Sequence, residues 1–251
     1  MLADDYRSHF RSDADRLLTA AASGFELSVP MCPDWTVADV VGHIGRIHHW
    51  VAGVIEFGSE APAPSAAPSE SGELLAWARQ GSEALQVKLD HLDPGDVCWS
   101  WVPSHQTGAF WLRRMAQEVA VHRFDVENAH GTPKPIEPEL AVDGIEEFCE
   151  LWLVLAAERA APSDVLLADG RSIHLHATDT AGEWVLTADP VALGGVRVER
   201  AHGKATFAVR GTANDLLLLL WGRRDLVGDA GLFETFGDRE VFDRLLTLVK
   251  I

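Results

Sequence analysis

The spacing of hydrophobic residues divides the chain into a helical first part and a mixed second part. Up to about residue 160, apolar residues recur every three or four positions, as they do in amphipathic helices. One helix begins at Thr36, where Asp39 completes a capping box, and runs to about Phe57. Together with further helices the pattern predicts a four- or five-helix bundle; those helices cover residues 4–22, 72–92, 109–130 and 137–160.

From residue 164 onward the period changes to the two-residue alternation of β-strands. Four alternating segments predict the strands of a meander, over residues 171–179, 183–189, 195–201 and 204–211. Thr212 and Asp215 then cap a short apolar helix, and residues 238–249 predict a last helix. We therefore predict two domains, a helical one over residues 1–160 and a small α+β one over residues 164–251, with the boundary near 161–164.

The helix over residues 109–130 places charge where its apolar face should be. On a helical wheel, Glu118 and His122 fall in the same stripe as Trp111 and Met115. A buried carboxylate costs several kcal/mol, or takes up a proton, unless something compensates its charge. A hydrogen bond between the two side chains, a polar cavity with water, or a shared metal ion would each provide that compensation.

A metal ion would need a third ligand from another helix, as in other bundle-core metal sites. The helix after Thr36 offers three histidines. Periodicity places His48 within the apolar stripe and His43 at its edge, and it predicts that His49 points into solvent. The pattern alone thus favours His48 slightly, and a simple buried Glu–His pair without metal remains an equal alternative.

Two further groups have a candidate role. Asp125 lies one turn after His122 and could orient its imidazole, although an ion pair with an arginine on the helix surface is the favoured interpretation. His174 and His176 share one face of a predicted strand, a spacing that can bind metal. The apolar residues that alternate with them form the inward face, so we expect both histidines to face solvent.

The amino-acid composition disfavours some classes of binding partner. The chain has 251 residues, 47% of them hydrophobic, which is ordinary for a globular protein. Its net charge of −17 disfavours nucleic acid and anionic membranes, because phosphate binding needs clustered Lys and Arg. Three isolated cysteines, with no CxxC pair, indicate neither a disulfide framework nor a thiolate zinc site.

The same features predict a cytoplasmic protein. The first residues, MLADDYRSHFRSDADRLL, are acidic and amphipathic and lack the profile of a signal peptide. The longest apolar run, at residues 216–221, is far too short to cross a bilayer. Isolated cysteines agree with a reducing compartment.

Three stretches resemble the motifs of one known family. They are PMCPDWTVADVVGHIGRIHHW (30–50), QEVAVHRFDVENAHG (117–131) and TFAVRGTANDLLLLLWGRR (206–224). In this order they resemble the mycothiol-dependent maleylpyruvate isomerase family, which belongs to the DinB-like metalloenzymes. The frequent use of Arg over Lys, with much Ala, also fits the GC-rich actinobacterial genomes in which mycothiol occurs.

The resemblance implies a fold and a site. The first domain should be a DinB-like four-helix bundle that holds a divalent metal, with zinc the expected ion, through His43, Glu118 and His122. This ligand set takes His43 in place of His48. The second domain should be a small α+β domain similar to sterol-carrier folds. It should supply a catalytic arginine, for which Arg223 is the best match; Arg210 and Arg224 are the alternatives.

The function implied is that of a metal- and mycothiol-dependent enzyme. A metal-bound thiolate would be the nucleophile, because an open position on the metal lowers the pKa of a bound thiol. The enzyme could act as a cis–trans isomerase or as a thiol S-transferase. Its substrate would be a small electrophile, which could carry a carboxylate. A hydrolase that uses metal-bound water, and a non-enzymatic binding protein for small molecules or lipids, are the alternatives. We expect only small-molecule partners, and the sequence leaves the oligomeric state open.

Overall fold

The computed structural model describes residues 1–159, 167, 170–192 and 195–249. The chain forms two compact units, Met1–Ile136 and Glu137–Ile251. Within the described residues, no helix has both the length and the apolar character needed to span a membrane.

The first unit is a four-helix bundle. Its helices, which match the first four predicted helices to within one or two residues, are α1 (Ala3–Ala21), α2 (Val37–Phe57), α3 (Ser71–His91) and α4 (Gly108–Ala129). The closest helix pairs are α1 with α4 and α2 with α3. Helices α1, α2 and α3 each bury one apolar face, as amphipathic periodicity requires, whereas α4 is buried on nearly all sides.

Two glycines allow α2 and α3 to approach closely. A Cβ on Gly45 would lie 2.3 Å from Cζ3 of Trp77, and a Cβ on Gly81 would lie 2.8 Å from Cδ2 of His49. His49 therefore packs between the helices, with its ring 4.9 Å from that of Trp77 and its Nε2 donating to the Trp77 carbonyl at 3.1 Å. The prediction that His49 points into solvent is wrong, because the facing glycine makes room for its ring.

A small hairpin precedes α2. Its strands, β1 (Ser28–Val29) and β2 (Cys32–Thr36), pair antiparallel. The last residue of β2, Thr36, is also the N-cap of α2, and its side-chain oxygen accepts from the Asp39 amide. The Asp39 carboxylate accepts from the Thr36 amide at 2.8 Å, which confirms the predicted capping box.

The second unit begins with helices that the sequence assigned to the first. The predicted helix over 137–160 consists of α5 (Pro138–Glu147), a π-helical segment (Phe148–Trp152) and α6 (Leu153–Arg159). Helix α5 packs against α7 (Ala213–Leu220), the fully buried apolar helix of the second unit. The division therefore falls at Ile136, whereas the predicted boundary near 161–164 lies outside the described residues.

The described part of the second unit contains a five-stranded sheet, formed by β3 (Ser172–Ala177), β4 (Glu183–Ala188), β5 (Val196–Glu199), β6 (Phe207–Gly211) and β7 (Glu234–Gly237). The strands lie in the order β5-β4-β3-β6-β7. Strands β3 to β5 form the predicted meander, but β6 pairs parallel to β3 on its other side. The sequence did not predict strand β7, because all four of its residues are exposed and show no alternation of buried and exposed positions.

Both faces of β3 are covered. Ile173, Leu175 and Ala177 are buried, as predicted for the inward face. Helices α7 and α8 (Glu240–Val249) contact this strand. His174 on the opposite face is also buried, at 6% exposure, so the prediction that it faces solvent is wrong. His176 beside it is half-buried.

Candidate metal centre

Helix α4 carries the first two residues of the site. Glu118 and His122 lie four residues apart, so their side chains stand one above the other on the same helix face. Oε1 of Glu118 is 3.5 Å from Nε2 of His122. The structure thus brings together Glu118 and His122, the two polar residues that the sequence places in the apolar stripe of this helix.

Helix α2 brings the third residue from across the bundle. The Thr36 cap sets the start of α2, and His43 follows two turns later on the side that faces α4. Nε2 of His43 lies 2.9 Å from Oε1 of Glu118, and the rings of His43 and His122 are 4.9 Å apart. The His43 side chain is 27% exposed, so the site is open to solvent on this side.

Two buried residues support these side chains from behind. Asp125 is 2% exposed, and its Oδ2 lies 3.0 Å from Nδ1 of His122. Its burial corrects the favoured interpretation, which placed Asp125 on the helix surface. Arg114, also buried, donates from Nη2 to Oε2 of Glu118 at 3.3 Å. A proton on Nδ1 of His122 bonds to Asp125, which leaves Nε2 directed at Glu118.

Trp35 is a site residue for which periodicity offered no signal. It lies in β2, directly before the helix cap, and its ring stacks on that of His122 with an interplanar angle of 8° and a centroid distance of 6.2 Å. The ring is also 5.3 Å from that of His43. The CPDWT motif therefore provides both the start of α2 and one aromatic wall of the site.

Hydrogen bonds within the cluster shift the pKa values of Glu118 and His122 in opposite directions. Burial raises the pKa of Glu118, but hydrogen bonds from His122 and His43 outweigh burial and hold that pKa well below its usual range. Burial lowers the pKa of His122, but hydrogen bonds to Asp125 and Glu118 outweigh burial and raise it to about 9. A carboxylate and a protonated imidazole thus neutralise each other, and a divalent cation could replace the proton.

These residues could hold a divalent metal ion. One donor atom from each of His43, Glu118 and His122 lies within 4.8 Å of the others. Two imidazoles and one carboxylate suit zinc and leave a coordination position for another molecule. A carboxylate behind a ligand imidazole, as Asp125 stands behind His122, is the usual outer-shell partner of such sites.

His48, which periodicity favoured as the third ligand, lies outside this group of donors. It is fully buried, with its Nδ1 2.8 Å from Oγ of Ser82 and its ring 5.0 Å from that of Phe10. Its place in the apolar stripe directs it into the core between helices. Among the three histidines of α2, it is His43 at the edge of the stripe that meets Glu118.

Burial of His48 has a consequence for stability. Burial lowers the pKa of His48 to about 3, whereas in the unfolded chain the ordinary value is 6.5. Between these values the unfolded chain binds one more proton, so the free energy of unfolding falls by up to about 1.4 kcal/mol per pH unit as the pH drops below 6.5. Denaturant titrations at several pH values between 5 and 7.5, repeated on His48→Gln, measure how much His48 contributes to the pH dependence of the free energy of unfolding.

The variant isolates His48 from the other titrating groups. We expect the free energy of unfolding of the His48→Gln protein to fall less steeply as the pH drops. The difference in slope between the two proteins should be up to about 1.4 kcal/mol per pH unit, which corresponds to one proton. Equal slopes in the two proteins would show that His48 does not stay neutral in the core.

The candidate arginines belong to the second unit. Arg223, directly after α7, donates from Nη1 to the carbonyl of Trp221 at 2.9 Å and is half-buried. Arg210 pairs with Glu234 at 2.8 Å on the surface, and Arg224 lies 3.4 Å from Asp215. Each of the three arginines thus has a hydrogen-bond acceptor within the second unit.

Two family models match the chain. The model of the mycothiol maleylpyruvate isomerase N-terminal domain matches residues 4–127, and that of the MDMPI C-terminal domain matches residues 139–244. The junction between the two matches agrees with the division of the structure at Ile136. A search of curated proteins found no significant match.

Solved structures show the same fold. The mycothiol-dependent maleylpyruvate isomerase aligns with a TM-score of 0.58 and 13% identity, over 89% of this chain and 90% of that chain. A histidine-to-alanine mutant of the mycothiol-dependent maleylpyruvate isomerase aligns with a TM-score of 0.53 and 13% identity, over 94% and 93%. The first unit accordingly has the DinB-like bundle fold that the motifs implied. Since the family models together span most of the sequence, the chain belongs to the mycothiol maleylpyruvate isomerase family.

Proposed function

We propose that this protein is a metal- and mycothiol-dependent enzyme that isomerises a small electrophile or transfers a thiol to it. The observation that carries the proposal is the convergence of His43, Glu118 and His122 from two helices. The family is named for such an isomerase, in keeping with the activity proposed for this chain.

The three converging residues would hold a divalent metal, with zinc the ion that the donor set favours. When bound, the ion would supply a positive charge that lowers the pKa of a thiol, so that the thiolate is available at neutral pH. Three protein ligands leave room for such a thiol, whereas a closed site with four would not.

The surrounding residues have separate tasks. Asp125 keeps the His122 imidazole in one orientation through its 3.0 Å contact with Nδ1. Arg114 fixes the Glu118 carboxylate. The Trp35 ring limits water on one side of the imidazoles, while the partial exposure of His43 leaves a path for thiol and substrate.

Arg223 is the proposed electrostatic partner of the substrate. A guanidinium suits a carboxylate or enolate because its planar fork can donate two parallel hydrogen bonds. The bond from Arg223 to the Trp221 carbonyl restrains the side chain at the end of α7. Arg210, which pairs with Glu234 on the surface, is the matched comparison.

An assay of thiol dependence tests the proposal. We expect the zinc-loaded protein to turn over unsaturated or leaving-group-bearing carboxylates only when mycothiol is added. Arg223→Ala should lower kcat/KM by about 100-fold or more, as loss of a preorganised charge partner does, and Arg210→Ala should leave it unchanged. Hydrolysis of esters or amides without any effect of mycothiol would refute the thiol-dependent function and favour a metal hydrolase.

A further inference from the structure

The sheet of the second unit carries another group of imidazoles around a carboxylate. In the antiparallel register of β3 and β4, His176 lies opposite Glu183, and His174 lies opposite Val185. Residues directly opposite each other in a sheet share a face, and so do residues two apart on one strand. His174, His176 and Glu183 therefore project from the same side of the sheet.

A third histidine reaches this face through the topology of the sheet. Strand β5 lies at one edge and β6 lies beyond β3, so residues 200–206 must cross over β4 and β3. The crossing is close, because a Cβ on Gly203 would lie 3.3 Å from Cγ2 of Val185. The crossover places His202 above Glu183, with its Nδ1 2.9 Å from Oε2 of that carboxylate.

The donor atoms of the group converge. Nδ1 of His176 is 2.6 Å from Oε1 of Glu183, and Nε2 of His174 is 3.5 Å from Oε2. One donor atom from each of the four residues lies within 4.8 Å of all the others. Ligand atoms at about 2.0–2.2 Å from a tetrahedral zinc ion are themselves about 3.3–3.6 Å apart, so small side-chain movements would complete the geometry.

A buried ring nitrogen of His174 also indicates that this cluster binds a ligand. The residue is only 6% exposed, and its Nε2 is buried without a hydrogen-bond partner among the described residues. A buried polar atom left unsatisfied is costly, and native structures contain few of them. Glu183 contacts His176 at 2.6 Å and His202 at 2.9 Å, whereas Nε2 of His174 lies 3.5 Å from Oε2 of Glu183 and forms no hydrogen bond among the described residues.

We propose that His174, His176, Glu183 and His202 form a second metal site, which binds a divalent ion of the zinc class. Three imidazole nitrogens and one carboxylate oxygen are the donors that zinc and its neighbours in the transition series prefer. Because the protein supplies all four ligands, the site is closed and structural. The ion ties β3, β4 and the crossover together, and its binding does not depend on His43, Glu118 or His122.

Zinc stoichiometry of the full-length protein tests the second site. Protein stripped with a chelator and titrated with zinc should bind two equivalents, and His43→Ala should bind one. In the His43→Ala background, His202→Ala should weaken the remaining zinc by more than the about 10- to 100-fold that loss of an outer-shell partner costs. The His202 side chain is 80% exposed, so this substitution removes a ligand with little effect on packing.

Controls keep the outcome decisive. His91→Ala, which removes an exposed histidine on α3, should keep the remaining equivalent, and Glu183→Gln should lose it as His202→Ala does. Zinc should raise the Tm of the His43→Ala protein, and the rise should vanish in both site variants. If His43→Ala binds no zinc, or if its zinc survives both His202→Ala and Glu183→Gln, the cluster is only an ion-pair network and the proposal fails.

Discussion

Replacing His43 with Ala should abolish tight zinc binding at the first-unit site while leaving the bundle folded. The imidazole contributes one of only three protein donors, and its Nε2 lies 2.9 Å from Oε1 of Glu118. We expect thiol-dependent turnover to fall by at least about 100-fold, because a bound metal contributes several kcal/mol and each 1.4 kcal/mol is a factor of ten. Zinc titration, turnover and thermal unfolding of the same preparation measure the three effects.

His48→Gln is the matched control on the same helix. Its side chain packs against Phe10 and contacts Ser82, so its replacement should lower stability and leave the affinity of this site for zinc unchanged. If His48→Gln removes the zinc and His43→Ala retains it, the ligand assignment drawn from the family motif is wrong. Full turnover by a His43→Ala protein that binds no zinc at the first-unit site would refute the dependence of the reaction on that metal.

Replacing Asp125 should weaken zinc binding without removing a ligand. Asp125→Asn keeps an oxygen that can accept from Nδ1 of His122 but loses the negative charge, and Asp125→Ala loses both. We therefore expect zinc affinity to fall about 10-fold in Asp125→Asn and about 100-fold in Asp125→Ala, the range found for outer-shell partners. A competition titration with a chromogenic chelator gives both constants.

A surface carboxylate separates this effect from a general loss of charge. Asp90 on α3 pairs with Arg11 at 3.1 Å and is partly exposed. Exposed pairs of this kind contribute at most about 1 kcal/mol, so Asp90→Asn should change neither stability nor zinc affinity appreciably. If Asp125→Ala binds zinc as tightly as Asp90→Asn, then Asp125 has only a packing role.

The residues of α4 could be recognised from the sequence because their signal is local. Glu118 and His122 lie within one stripe of one helix, and the 3.6-residue period alone shows that they share a face with apolar residues. The capping box at Thr36 is equally local, since Thr36 and Asp39 are three residues apart. Both features depend on neighbours within a single turn.

The third residue of the cluster required more than periodicity. Periodicity placed His48 inside the apolar stripe of α2, and it is indeed buried. Burial in the centre of a stripe, however, directs a side chain into the core, whereas His43 at the edge meets Glu118 of α4. The choice depends on the rotation of α2 relative to α4, and in the sequence it was marked only by the family motif.

Long-range pairing explains the remaining differences. Helix α5 joins the second unit because its apolar face packs on α7, about seventy residues later in the chain, which no helical pattern encodes. His202 lies in an irregular segment, and it meets His174 and Glu183 only because β6 pairs parallel to β3.

By itself the sequence thus determined the helices, most strands, the caps and the charged pair on α4, since each depends on the conformation of a few consecutive residues. The tertiary structure decided which histidine faces Glu118, where the two units divide, and that His174 is buried beneath a crossover. These outcomes depend on contacts between distant segments, whose free energy comes from packing and not from local preference.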